Sequence, residues 1–455
     1  MAFGRRASSR RARGMFLALA LGISLQAAVV GGDPPLAISQ GSPSVEEGIV
    51  EILVEDHLGW ARRSYALRQD ARRFWLRGDT RALFSARTGM RARVRGIRHE
   101  KQIVALHLDL EEASEAQGRQ LPETVGRRRV ALLLLNFSDR VVRPYSVETA
   151  RALLMTVAEF FRENSYGRLS LEGDVFGWFT LPMSVAACDP FRLAEEAHAV
   201  AQASGIDLSA YAHFVYAFPR NACSWWGLGT LGGAPSSAWI NGTLAFDVLA
   251  HELGHGLGLS HSHALECGWV ALGEACQVLE YGDTLDIMGM GAGHVSAVQK
   301  ERLGWLREGE EILRVTEEGA FRLAPYHAEG DGPKALKILK SADVGVGYAA
   351  WYYVEYRLPR GFDRFLSRNS NVSRGVVVRL GISGERGGSF LLDLTPETAS
   401  WLDPALTVGR SFTDPQTGLT ILVHEVAASG ALLTIAGIRG EGERSGILFP
   451  SARAQ

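Results

Sequence analysis

The sequence predicts a multidomain α+β protein, in which a domain with a mixed twisted sheet and a long helix lies between a small N-terminal β domain and a C-terminal β-sandwich-like domain. Three observations carry that expectation. The chain has 455 residues, 46% apolar and 22% charged, which is ordinary globular composition in a length too great for one core. The run VALLLLNF at 130–137 reads as a strand covered on both faces, and SVETARALLMTVAEFFREN behind it has helical spacing with Ser146 as cap. On either side, short alternating runs are separated by Gly, Pro and Asp turns, without a convincing long helix.

Residues 1–30 differ from the rest. Five arginines between Arg5 and Arg13 precede MFLALALGISLQAAVVGG, a basic region followed by an apolar run that ends in small residues. This reads as a secretory signal with cleavage near Ala27 or Ala28, and the run, roughly 16 residues, is short of the ~20 that span a bilayer. A retained N-terminal anchor is the alternative; the pair Arg10-Arg11 needs no reading beyond a basic n-region. Residues 31–126 then form the N-terminal β-rich domain with its linkers, from alternation in IVEILVE, RARVRGI and QIVALHLDL. The mixed domain occupies 127–312, the β-sandwich-like domain 313–439, with strands such as YYVEYRL, GVVVRLG and LTILVHEV, and a flexible tail 440–455. Arg127-Arg128-Arg129 raises the question of a processing site that would release the N-terminal domain as a propeptide; a solvated linker end is the simpler reading.

A formal net charge of −2 supplies no bulk attraction to nucleic acid or to an anionic membrane. Export would place the four cysteines in an oxidising compartment. Three pairings exist; the nine-residue separation of Cys267 and Cys276 favours a local bridge and leaves Cys188 with Cys223, the alternative being reduced, buried thiols.

Chemistry concentrates in HELGHGLGLSHSH at 251–263. On a helix capped by Thr243, His251 and His255 leave one face about 6 Å apart, close enough to share one ion, zinc being the natural occupant. Glu252 points beside that ion, where a carboxylate can take a proton from water. A continued helix would carry His261 ~9 Å along the axis, whereas two nitrogens on one zinc lie within about 4 Å. The chain must therefore turn, and Gly256 and Gly258 stand where it can. The spacing HExxHxxGxxH favours His261 as third ligand over His263, which suits an outer or solvent position. Asp247 is a candidate to orient a ligand, Glu280 and Asp283 to fix the following loop, and Glu274 to serve as a glutamate ligand if Gly258 and His261 were coincidental. Asn136, Asn241 and Asn371 begin N-x-S/T triplets, which leaves glycosylation open.

HELGHGLGLSH resembles the motif of metzincin metallopeptidases, and EYGDTLDIMG supplies Met288 as the methionine of a turn beneath the metal. With FFRENSYGRLSLEGDVFGWFTLP, CSWWGLGTLGG, SAWING and VQKERLGW, residues 130–306 resemble the gametolysin-like family of secreted metzincins. The resemblance implies a metzincin-type zincin catalytic domain: a mixed twisted sheet, an active-site helix, a cleft, and zinc-dependent hydrolysis of protein or peptide substrates by a metal-activated water. Two departures stand out. Met290 occupies the place of a tyrosine that swings onto the metal in some metzincins, and no cysteine precedes Cys188, so a prodomain thiol cannot hold the enzyme latent. The competing expectation is a zincin-fold binding or adhesion protein with a structural or inactive metal site.

Overall fold

The computed structural model describes residues 42–438 except 71, 112–123, 328–329, 331, 344–347 and 383–387. The expected signal peptide, and the tail from 440, lie outside the described residues. The protein is mixed α+β, mostly sheet with few helices.

The chain begins with β1 (Ser42–His57), β2 (Trp60–Gln69), β3 (Arg72–Gly78), α1 (Thr80–Ser85), β4 (Arg91–Arg98) and β5 (Gln102–Glu111). β1 pairs with both β2 and β4, so the order β1-β2-β3-β5-β4 returns to β1 and closes a barrel. Val50, Leu67, Leu76, Val94 and Ile103 fill its interior. Pairing with β4 ends at Ile49; from there to His57 β1 stays paired with β2 on one edge, and at Leu53–Asp56 its other edge takes a strand outside the barrel.

Next come β6 (Gly126–Phe137), α2 (Val147–Asn164), β7 (Leu169–Leu181), α3 (Pro190–Ala203), β8 (His213–Phe218), β9 (Gly227–Thr230), β10 (Ser236–Asn241) and α4 (Phe246–Gly256). The strands form the order β9-β10-β8-β6-β7, parallel except for β9. β6 shows why its sequence is apolar throughout. Val130, Leu132 and Leu134 enter a core with α2 and α4, while Ala131, Leu133 and Leu135 enter another with α3 on the opposite face. Ser146 caps α2 as expected, its Oγ accepting from Thr149 N–H at 3.1 Å. α4 starts later than expected: its cap is Ala245 without a side-chain bond, and Thr243 is exposed. Leu53–Asp56 of β1 pair antiparallel with Thr230–Gly227 of β9, which joins barrel and sheet into one ten-stranded sheet.

The remainder contains β11 (Ser262–Glu266), β12 (Gln277–Leu279), α5 (Ala297–Arg302), β13 (Ile312–Val315), β14 (Gly319–Leu323), β15 (Ala335–Asp343), β16 (Tyr348–Glu355), a 3-10 turn (Gly361–Arg368), α6 (Ser370–Ser373), β17 (Gly375–Ile382), β18 (Ser389–Leu392), β19 (Leu406–Thr407), β20 (Ser411–Thr413), β21 (Thr420–Ala427) and β22 (Gly430–Ala436). An eight-stranded sheet runs β12-β11-β18-β17-β16-β15-β13 with β19 beside β17, and a four-stranded sheet runs β14-β22-β21-β20. Leu336, Ile338, Val376 and Val378 from the first and Ile421, Val423, Leu433 and Ile435 from the second share one apolar core. The strands of 262–279 thus belong to the same sheet as the C-terminal ones.

Both disulfides form as expected, Cys188–Cys223 and Cys267–Cys276. Asn136 and Asn241 are buried in internal hydrogen bonds and are not surface acceptors for a glycan. Arg127–Arg129 lie inside β6, paired to β7, with Arg127 and Arg129 bonded to Glu172 and Asp174, so they are not a free linker end.

Arg379 of β17 ties the C-terminal sheet to the loop after β12. Its guanidinium meets Asp283 at 2.8 Å and Glu355 at 2.6 Å, all three fully buried. Removing the cation would strand two buried carboxylates. Arg379→Met is therefore expected to lower stability by ~3–5 kcal/mol, read as a fall in the urea unfolding midpoint.

Candidate metal centre

α4 carries His251, Glu252 and His255 into the core, and Met288 packs beneath it. A Cβ at Gly254 would meet the Met288 sulfur at 2.7 Å, so glycine is what lets that methionine approach the helix. α4 stops where expected: Gly258 takes φ +98°, and its N–H and that of Leu259 bond back to His255 O and Gly254 O. The reversed chain returns His261 to the two helical histidines. His255 Nε2 and His261 Nε2 are 3.1 Å apart, and the ring centroids of His251 and His261 are 5.2 Å apart.

Each ring is oriented through its other nitrogen. Nδ1 of His251 lies 2.9 Å from Ile287 O, that of His255 2.8 Å from Leu259 O, and that of His261 2.6 Å from a Glu280 carboxylate oxygen. Carbonyl and carboxylate oxygens only accept, so the proton sits on Nδ1 and each neutral ring turns the lone pair of Nε2 inward.

A fourth group, missed by the sequence reading, completes the cluster. Asp56 of β1 is fully buried, with Oδ1 2.8 Å from His261 Nε2 and 3.7 Å from His251 Nε2, and Oδ2 3.4 Å from His255 Nε2. The four donor atoms lie within 4.8 Å of one another. Asp56 stands 195 positions before His251, and nothing in its local pattern marks it. Tyr281 was missed too: its hydroxyl donates to Asp56 Oδ1 at 2.6 Å.

Buried in one another's fields, these groups diverge. Burial pushes His255 down to about 4. Burial, and then the neighbouring Asp56 carboxylate, push Glu252 well above the usual carboxylate range. Against the same burial penalty the imidazoles hold Asp56 well below that range, and Asp56 and Glu280 raise His261 to about 9. The cluster therefore calls for positive charge at its centre. A proton on His261 answers one contact and leaves His251 Nε2 and Asp56 Oδ2 without partners. One metal cation can engage all four donors, and three imidazoles with a carboxylate suit zinc.

The other candidates separate cleanly. His263 stacks on Phe390 and lies 3.5 Å from Glu280, outside the cluster. Glu280 orients His261, whereas Asp283 serves Arg379. Asp247 and Glu274 are exposed, so neither orients nor replaces a ligand. Met290 is exposed. Both Glu252 carboxylate oxygens are buried without a hydrogen-bond partner among the described residues. A Cβ at Gly227 would meet Glu252 Oε1 at 1.7 Å, so this strand position must be glycine for the carboxylate to fit.

A family model described as gametolysin peptidase M11 matches residues 138–364. None of the curated proteins compared matches the chain. Among solved structures, a chain of a chaperone–substrate complex aligns at 14% identity over 39% of this chain and 27% of its own length, with a TM-score of 0.20. Metalloproteinase-II from Bacteroides fragilis aligns at 9% identity over 59% of this chain and 93% of its own, with a TM-score of 0.25. Residues 138–364, with the three converging histidines among them, are a domain of the gametolysin peptidase family.

Proposed function

We propose that the protein is a secreted zinc-dependent endopeptidase in which His251, His255 and His261 hold the metal and Glu252 is the general base. The observation that carries this is the inward convergence of three Nε2 lone pairs, each fixed by an Nδ1 contact, beside an unpartnered buried carboxylate. A bound zinc ion supplies Lewis acidity, making a water acidic and polarising the scissile carbonyl. With the metal bound, Glu252 would hold at its carboxylate the proton lost as the water oxygen adds to the carbonyl carbon, and would give it to the amide nitrogen as the C–N bond breaks. Gly227 leaves the room in which that carboxylate is buried. Glu280 keeps the third imidazole in the tautomer that presents Nε2.

Export is supported by the basic and apolar N-terminus, by two disulfides, and by the absence among the described residues of a helix long and apolar enough to cross a membrane. Protein or peptide substrates follow from the peptidase family.

A second reading has one observation in its favour. With Asp56 counted, four protein groups surround the centre, as in a structural zinc site, and a zincin-shaped binding or adhesion protein would need no more. Glu252 speaks against it, because a structural metal has no use for an adjacent buried carboxylate.

The deciding measurements use a preparation that cleaves a denatured protein. Chelation is expected to abolish cleavage, and zinc to restore it. Glu252→Gln should retain one zinc per chain while kcat/KM falls by ~10²–10⁴; a variant that cuts as fast as wild type would refute the assigned base. Gly227→Ala, which displaces the Glu252 carboxylate without touching a ligand, should slow cleavage about 10²-fold at unchanged metal content. As the pH is lowered below about 6, metal and activity should leave together, because a histidine must be neutral to bind.

A further inference from the structure

The hairpin that carries Asp56 is built to hold that carboxylate in place. β1 and β2 are joined by Leu58-Gly59, with Gly59 at φ +80°, and His57 stacks on Trp60 across the turn at 3.7 Å. Glu55 accepts from Arg62 at 2.7 Å and from Ser64 at 2.7 Å, tying the two strands together beside the tip. Asp56 itself is held from outside the hairpin: Tyr281 donates to Oδ1, and Trp226 N–H donates to its carbonyl at 2.9 Å. A carboxylate so fully removed from water is costly unless opposite charge meets it, and three imidazole nitrogens lie within 3.7 Å of its oxygens.

The strand that delivers it occupies a second essential position. An extended peptide is commonly captured by adding to an open sheet edge. β9 has no such edge here, since β10 takes one side and Leu53–Asp56 the other. Those four residues run antiparallel beside Gly227–Thr230, the strand whose Gly227 and Gly229 lie against Glu252 and His255. A catalytic zinc needs one position open to water or substrate, and four protein donors leave none.

We propose that Asp56 is a fourth ligand of the metal, and that the N-terminal barrel thereby keeps the peptidase latent, with β1 lying where substrate must lie. The inference rests on the zinc-peptidase reading above. No thiol is involved; a carboxylate on a rigid hairpin does the blocking, and its covalent tether gives it a high local concentration at the centre.

The test uses the full chain with cobalt(II) in place of zinc, because the visible bands of cobalt report its ligand set. Wild type is compared with Asp56→Ala and with Asp56→Asn, which keeps the size of the side chain and an oxygen for Tyr281 and so guards against simple misfolding. All three are expected to bind one cobalt. The bands should shift in both variants, and both should cleave a short fluorogenic peptide about tenfold or more faster than wild type. Identical spectra, or a wild type that cleaves as fast as the variants, would overturn the proposal. Shifted bands without faster cleavage would overturn the latency while leaving the metal reading intact. Failure of the wild type to take up cobalt would overturn both.

Discussion

The site depends on a constraint of proton placement. Three histidines can point their Nε2 lone pairs at one spot only if each Nδ1–H has an acceptor, and the acceptors come from three places: Leu259 in the turn that ends α4, Ile287 beside Met288, and Glu280 after β12. Turn, methionine loop and β12 are therefore folded around the requirement that no ring may flip. Much of the surrounding architecture serves those acceptors. Arg379 anchors Asp283 in the loop between Glu280 and Ile287, and Asp286 bonds Met288 N–H and the Ser262 hydroxyl.

What the sequence made legible was local. His251 and His255 share a face because four residues make about one helical turn, and His261 can return because Gly258 reverses the chain. The two-sided apolar pattern of β6 and the Ser146 cap are likewise written within a few residues of where they act. The Ala245 cap shows the limit at short range. Thr243 is chemically the better cap, but α4 starts where its apolar face meets the sheet, and tertiary packing overrode the propensity.

What stayed hidden is long-range. Asp56 sits at the end of an unremarkable alternating strand, and its meaning appears only when the edge of β1 that β4 vacates after Ile49 is taken by β9. Tyr281 is next to Glu280 in sequence, yet only the fold shows that the two neighbours serve different partners, the Asp56 carboxylate and the His261 imidazole. The continuity of β1 with β9 was illegible for the same reason: register between strands so far apart in the chain is fixed by packing, which leaves no periodic trace.

One further pairing seats the strand that follows the third histidine. His261 leads into β11, whose neighbour on one side is β18, hydrogen-bonded in parallel from Ser262↔Ser389 to Leu265↔Leu392. Gly388 comes so close to the His261 carbonyl that any side chain there would strike it. The third imidazole is thus seated by residues made more than a hundred positions later. Because a chain emerges from the ribosome N-terminus first, the barrel is complete long before β18 has been synthesised. A polypeptide that ends before β18 accordingly holds the barrel strands and both helical histidines while His261 still lacks the parallel neighbour of its strand.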